Sequence, residues 1–252
     1  MIELRDVHKA FGSHAVLNGV DFVVHKGETV ALLGPSGTGK SVLLKHIIGL
    51  LRPDRGEVLV DGSNVAKMSR DELTRMRRKI GYAFQNGALF DSISVYENIR
   101  LGITEDRLYR SRNYCQNRVA ECLSLVNLGP EVARLMPSQL SGGMRKRVGI
   151  ARAIAGHPEY LLYDEPTSGL DPVNADAMDA LIGQLQEELS VTSLVVTHDV
   201  RASFKVANRI ALLHGGRIRK VGTPEEFVAA KDEVVREFLT RDFEVVETEA
   251  EG

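Results

Sequence analysis

Tryptophan is absent from the 252 residues, aromatics amount to only 6%, and there are two cysteines. So few aromatics argue against the stacking platform that holds single-stranded nucleic acid. A net charge of -2 gives no whole-chain attraction to nucleic acid either. Cys115 and Cys122 stand seven residues apart. On a helix that places them on one face about 10 Å apart along the axis. A disulfide requires Cα atoms within ~7 Å, and two ligands are too few for a structural zinc site, so both read as packed, free thiols. No apolar run approaches the ~18 residues of a membrane span. The longest, Val42 to Leu51, carries Lys45 and His46. The opening Met1-Ile2-Glu3-Leu4-Arg5-Asp6 has neither the basic nor the apolar part of a secretory leader. The expectation is a cytoplasmic protein that reaches a membrane only through a partner.

What is present is ordinary globular material, 43% hydrophobic and 26% charged, in a chain long enough to bury a core without staples. Charge is uneven. From Thr223 to Gly252 ten acids face three bases, a local net of -7 that leaves the preceding 222 residues at +5. A moderately basic body suits polyphosphate, and the final ten residues are expected to be disordered. Among the tail's acids, Phe243, Val245 and Val246 are candidates to clasp a partner, with a frayed terminus as the default. The run Arg75, Arg77, Arg78 and Lys79 reads as a solvated helix face, with contact to lipid headgroups or nucleic acid as the alternative.

Ile2, Leu4 and Val7, then Val16 to Val24, read as two strands about a Phe11-Gly12-Ser13 turn. Thr29 to Leu33, Tyr160 to Tyr163 and Ser193 to Val196 are short continuous apolar runs, the pattern of strands buried on both faces of a parallel sheet. Each ends in glycine or polar residues: Gly34, then Asp164-Glu165, then Thr197-His198-Asp199. Ligands of open α/β sheets bind at the carboxyl ends of strands, so these three ends point to one site assembled from distant sequence. Ser69 with Glu72 spells a capping box. The segment from Glu105 to Leu128 is expected to be helical, as is Pro172 to about Leu189 behind an Asp171 N-cap. Gly215-Gly216 reads as a hairpin turn.

Gly34-Pro35-Ser36-Gly37-Thr38-Gly39-Lys40-Ser41 matches GxxxxGK[ST], after an apolar strand and before a helix-like run from Val42 to Leu50. Glycines let backbone N–H groups converge on phosphate oxygens, and the helix N-terminus adds about half a positive charge. Lys40 can reach the outer phosphates and the Ser41 hydroxyl can ligate Mg2+. Asp164 and Glu165, two acids at a strand end, suit metal support and activation of an attacking water. Leu140-Ser141-Gly142-Gly143-Met144 opens a helix to about Ala155 and makes a second anion-binding N-terminus. One nucleotide does not need two such termini from a single chain, which suggests a second subunit facing the first.

With these motifs in this order, together with Gln85, Ser168-Gly169-Leu170-Asp171 and His198, the sequence resembles the ATP-binding cassette (ABC) ATPases over about residues 2–230. The resemblance implies an α/β fold: a P-loop NTPase cassette with a RecA-like core, an antiparallel β subdomain and an α-helical signature subdomain inserted at about 86–157. Residues 231–252 would form an acidic, partly disordered extension. Two copies would sandwich two ATP molecules. Residue by residue, Lys40 and Ser41 would bind phosphate and Mg2+, Gln85 would contact Mg2+ or the attacking water, Asp164 would support the metal and Glu165 would be the general base. His198 would contact the γ-phosphate. Ser141, Gly142 and Gly143 would meet the ATP held by the other subunit, and Asp171 would lie at the dimer interface. Phe11 matches the aromatic that stacks on adenine, with Val16 beside it; plain core packing is the alternative for Phe11.

Met144 departs from the common signature, which has Gln there. Together with the stretches Gln85 to Asn98, Ser141 to Arg147 and Gly169 to Val173, it makes the chain look like the ATPases of Mce-type lipid transporters. That implies integral membrane permease subunits, an Mce-type lipid-binding protein and, in some relatives, a small STAS-type regulatory subunit. The location implied is the inner face of the cell membrane, with no nucleic-acid partner. A cassette of another importer or exporter is the nearest rival. A soluble cassette acting on DNA or ribosomes is a further one, although no sustained heptads occur and the chain holds one cassette. Leu89, Phe90, Ile93, Val95 and Tyr96 could form a groove for a permease helix or a buried cluster within the domain.

Overall fold

The structure, a computed structural model, describes residues 1–240. The chain divides into two compact units: Met1–Met68 together with the chain from Leu194 onward, and Ser69–Ser193.

In the first unit β1 (Ile2–Phe11) and β2 (His14–Val24) form an antiparallel pair. Their buried residues are Ile2, Leu4 and Val7 on β1, and Leu17, Val20, Phe22 and Val24 on β2. Spacings of three between Leu4 and Val7, and between Leu17 and Val20, would turn half of each strand to the wrong face if the period of two held throughout. Register shifts at these points absorb the extra residues, with Asp6 at φ 46 and Gly19 at φ 81. The Asp6 N–H donates to Asp21 Oδ1 at 2.9 Å, which satisfies the bulge. The first unit also contains the buried strand β3 (Thr29–Leu33) and the helix α1 (Lys40–Ile47). With β4 (Arg55–Val60) and β5 (Ser63–Asn64), the antiparallel sheet has the order β2-β1-β4-β5.

The second unit opens with α2 (Arg70–Arg78), whose Ser69–Glu72 capping box forms as expected. It holds a parallel strand pair, β6 (Ile80–Ala83) and β7 (Tyr160–Asp164), in which Tyr82 stands opposite Leu162. The helices α3 (Val95–Arg100), α4 (Asp106–Tyr109), α5 (Arg112–Leu125), α6 (Gly142–Ile154) and α7 (Pro172–Leu189) complete it. The helix expected from 105 to 128 is two helices, because the Ser111 hydroxyl caps a fresh start by accepting from the Tyr114 N–H. Cys115 and Cys122 are buried free thiols on α5, and burial pushes the Cys122 thiol up to about 12. The side chain of Arg118, almost wholly buried, donates to the carbonyls of Ile154 and Ala155 and so closes the end of α6. Asn98 binds Phe90, Ile93 and Ser94 through its amide and fixes the loop before α3. Within that stretch Val95 is buried, Leu89, Ile93 and Tyr96 are half-buried, and Phe90 remains 58% exposed. It therefore contributes to the core and to the surface at once.

The chain re-enters the first unit along β8 (Thr192–Thr197) and continues through α8 (Val200–Val206), β9 (Arg209–His214), β10 (Arg217–Gly222) and α9 (Pro224–Val228). There β3 lies between β8 and β9, parallel to β9, and β10 closes the edge. The β9–β10 turn is Gly215-Gly216, both at positive φ, which that hairpin geometry demands. Residues 233–240 are helical, and Val235 and Leu239 pack with Ala31, Leu33, Ile210 and Phe227. The stretch after residue 230 thus begins by joining the core. The expected disorder of the last ten residues, and the candidate clasp at Phe243, Val245 and Val246, lie outside the described residues. No helix among the described residues is long and apolar enough to cross a membrane.

Candidate nucleotide site

The first unit supplies the phosphate loop. All five residues of β3 are buried, so the strand delivers Gly34 to a fixed point. A Cβ on Gly34 would stand 2.5 Å from the Leu213 carbonyl, which leaves room only for glycine. Gly39 has φ 100, and a Cβ there would meet Val16 Cγ1 at 2.7 Å. Val16, named from sequence as lining this site, therefore supports the loop from β2. Thr38 Oγ1 donates to the Pro35 carbonyl at 2.8 Å and closes the turn through Ser36 and Gly37.

Lys40 is only 5% exposed, and its ammonium donates to the carbonyls of Gly34 at 2.6 Å and Pro35 at 3.1 Å. A buried cation folded back over its own loop is poised for an anion. Helix α1 has no side-chain cap at Gly39, unlike α2, α3, α5, α6 and α7. Its first-turn N–H groups add to the anion-binding field at the loop. Ser41 follows in the first turn. Phe11 is 49% exposed at the tip of β1, with the Lys9 ammonium 5.6 Å from its ring centre. At that exposure the ring is not packed in the core. His198 is exposed between β8 and the Asp199 N-cap of α8.

The second unit supplies the acids. Asp164 closes β7 and is nearly buried, while Glu165 follows at φ 51, a left-handed conformation that few non-glycine residues adopt. The Tyr82 hydroxyl donates to Asp164 Oδ2 at 2.9 Å. Burial, the Asp164 charge and this bond hold the phenol far above its ordinary pKa, so it stays a neutral donor. Gln85 lies two residues past β6, and its Nε2 donates to Ser168 Oγ at 3.3 Å. Lys146 on α6 is 8% exposed, and its ammonium donates to the carbonyls of Glu165 at 3.2 Å and Pro166 at 3.0 Å. Burial lowers its pKa while the Glu165 charge opposes the shift.

Ser141 caps α6 by accepting from the Met144 N–H at 3.2 Å, and a Cβ on Gly142 would meet open space. Gly143 stands beside Asn174. Asp171 caps α7, accepting from the Asn174 N–H and amide, and these bonds hold its carboxyl below the usual range.

The named residues thus fall into two sets. Phe11, Val16, Gly34 to Ser41 and His198 belong to the first unit. Gln85, Ser141, Gly142, Gly143, Asp164, Glu165 and Asp171 belong to the second. Tyr82 and Lys146 escaped sequence reasoning, since nothing in their spacing announces partners 82 and 19 residues away. The hydroxyl of Ser41, the carboxylate of Asp164 and the amide oxygen of Gln85 are hard oxygen donors. Each is, taken by itself, the type of donor that Mg2+ selects.

Residues 17–168, more than half of the chain, match the ABC transporter family. The "Probable ribonucleotide transport ATP-binding protein mkl" of Mycobacterium leprae is 40% identical over 238 residues, which cover 94% of this chain and 68% of that protein. The intermembrane phospholipid transport system ATP-binding protein MlaF of Haemophilus influenzae is 37% identical, over 95% of this chain and 90% of its own. Among solved structures, the cassette MJ0796 in a dimeric post-hydrolysis state bound to ADP and Pi superposes with a TM-score of 0.81. It is 36% identical, over 88% of this chain and 98% of that one. The phosphate loop, the paired acids and the capped signature helix agree with these matches, and the chain belongs to the ABC transporter family, as an ATP-hydrolysing cassette of a transporter.

Proposed function

We propose that this cassette energises the movement of phospholipid or related hydrophobic cargo between membranes. It would work as a homodimer on the inner face of the cell membrane, attached to integral permease subunits that act with an Mce-type lipid-binding protein. The observation that carries this reading is the end-to-end likeness to MlaF, which spans 90% of that protein. The likeness to the mkl protein leaves about a third of that protein unmatched. Ribonucleotide transport is the second reading, favoured by the 40% identity to that relative.

In the chemistry proposed, Phe11 stacks on adenine and Val16 backs the phosphate loop. Lys40 and the α1 N-terminus bind the phosphates and draw off the charge that develops as the γ-phosphoryl leaves. Ser41, Asp164 and Gln85 would hold Mg2+, which supplies charge neutralisation at the outer phosphates. Glu165 takes a proton from the attacking water, and His198 donates to the γ-phosphate. Ser141, Gly142 and Gly143 bind the nucleotide held by the second copy, with Asp171 at the interface, so that closure of the dimer requires ATP.

Two measurements test these two levels. Glu165→Gln should keep ATP binding and lose about 100-fold or more in turnover, the usual scale for a general base; wild-type turnover would remove the assignment. Reconstituted with its permease, the cassette should move labelled phospholipid between vesicles in an ATP-dependent way. Transport of ribonucleotide with no lipid movement would transfer the function to the second reading.

A further inference from the structure

The bond between Tyr82 and Asp164 has no part in the hydrolysis scheme above. Asp164 ends a buried strand, and its Oδ2 accepts the Tyr82 hydroxyl at 2.9 Å from the neighbouring parallel strand. A carboxylate on a two-bond side chain can rotate about its terminal torsion, whose energy wells are broad. The directional bond from the half-buried phenol restrains that rotation. The phenol is itself held: its ring lies 4.2 Å from the Phe84 ring, tilted by 36°. Phe84 immediately precedes Gln85, which is anchored to Ser168 by its own hydrogen bond. The chain from Tyr82 to Gln85 therefore carries both the group that orients Asp164 and a second oxygen donor of the metal set.

We propose that Tyr82 is a positioning residue for the metal: its hydroxyl aims the Asp164 carboxylate and ties that aim to the position of the Gln85 segment. The inference rests on the reading of Asp164 as the acid that supports the metal. A hydrogen bond to a charged acceptor in such a setting is worth about tenfold or more in an equilibrium constant. Tyr82→Phe removes the hydroxyl and keeps the ring against Phe84, so packing and folding are preserved.

The test measures Mn2+ binding by electron paramagnetic resonance, in place of Mg2+, on the full chain with a non-hydrolysable ATP analogue. Wild type, Tyr82→Phe and Asp164→Asn are compared, and analogue affinity is also measured in excess chelator. For Tyr82→Phe the expected result is Mn2+ binding weaker by about tenfold, with an unchanged metal-free analogue affinity and a protein that still melts cooperatively. The Mg2+ concentration giving half-maximal turnover should rise by a similar factor, while kcat at saturating Mg2+ changes less than twofold. Unchanged Mn2+ affinity in Tyr82→Phe, with weakened binding in Asp164→Asn, would overturn the role of Tyr82 and leave Asp164 in place. Unchanged affinity in both variants would overturn the reading of Asp164, and this inference with it. An equal loss of analogue affinity without metal would reduce Tyr82 to a structural residue.

Discussion

Replacing Lys146 by Met should damage catalysis through the backbone of Glu165, the residue proposed as general base. The ammonium donates to the carbonyls of Glu165 and Pro166, where Glu165 sits at a left-handed φ. Bonds from a charged donor contribute about 1.5–3 kcal/mol each, and the desolvation of a buried ammonium offsets much of that sum. A net loss of about 2 kcal/mol remains, which lowers the melting temperature of a chain this long by about 4–8 °C. Relaxation of Glu165 toward an ordinary conformation displaces its carboxylate, and a misplacement of about 1 Å costs on the order of 100-fold in rate. Steady-state phosphate release at saturating ATP should fall by about 10–100-fold, with nucleotide affinity retained because the phosphate loop is untouched. The assay is phosphate release normalised to folded protein, with affinity from a fluorescent nucleotide. Wild-type kcat together with a wild-type melting temperature would refute the reasoning. A lowered melting temperature with normal kcat per folded molecule would refute the positioning role alone.

Other expectations follow from the same geometry. Lys40→Ala should weaken ATP binding by about 10–100-fold, the scale of a lost charge-assisted bond, as measured by equilibrium nucleotide titration. Phe11→Ala should weaken it by about tenfold through lost stacking; Phe11→Tyr should restore it, and neither should shift the melting temperature, because the ring is exposed. His46, buried on α1 with its Nδ1 bound to the Val42 carbonyl, has its pKa lowered mainly by burial. The unfolded chain therefore takes up that proton first, and stability falls as pH drops below about 6.5 toward the lower folded value. His46→Gln should flatten this part of the stability–pH curve, which thermal melts between pH 5 and 8 would record.

Much of the first unit is legible in sequence because its signals are local. The strand Thr29–Leu33 is a continuous apolar run ending in Gly34, and the Gly215-Gly216 hairpin announces itself by composition. In the second unit Asp171-Pro172 marks the start of α7 in the same way. Strands β4 and β6 carry no comparable signal, for a physical reason. Each contains a glycine that weakens the strand pattern yet is required by close packing. A Cβ on Gly56 would run into the Asp6 and Arg5 carbonyls at the β1 bulge, and one on Gly81 would stand 2.5 Å from the Ala153 carbonyl of α6. The second capping box, Ser94 with Glu97, was equally spelled out in the sequence, but α3 is only six residues long and its periodicity is faint. Within the site, glycines, Lys40 and the paired acids are legible because their chemistry dictates residue type. Tyr82 and Lys146 are not, because their roles depend on partners that only folding brings near.

The central claim, that this cassette drives lipid movement through a permease, is tested most directly by what accompanies it in its own membrane. A tagged copy purified from native membranes would be analysed by protein and lipid mass spectrometry. The account predicts a multispanning permease, an Mce-type lipid-binding protein and enriched phospholipid. Ribosomes or DNA without a membrane protein, or a permease with neither lipid nor a lipid-binding protein, would contradict it.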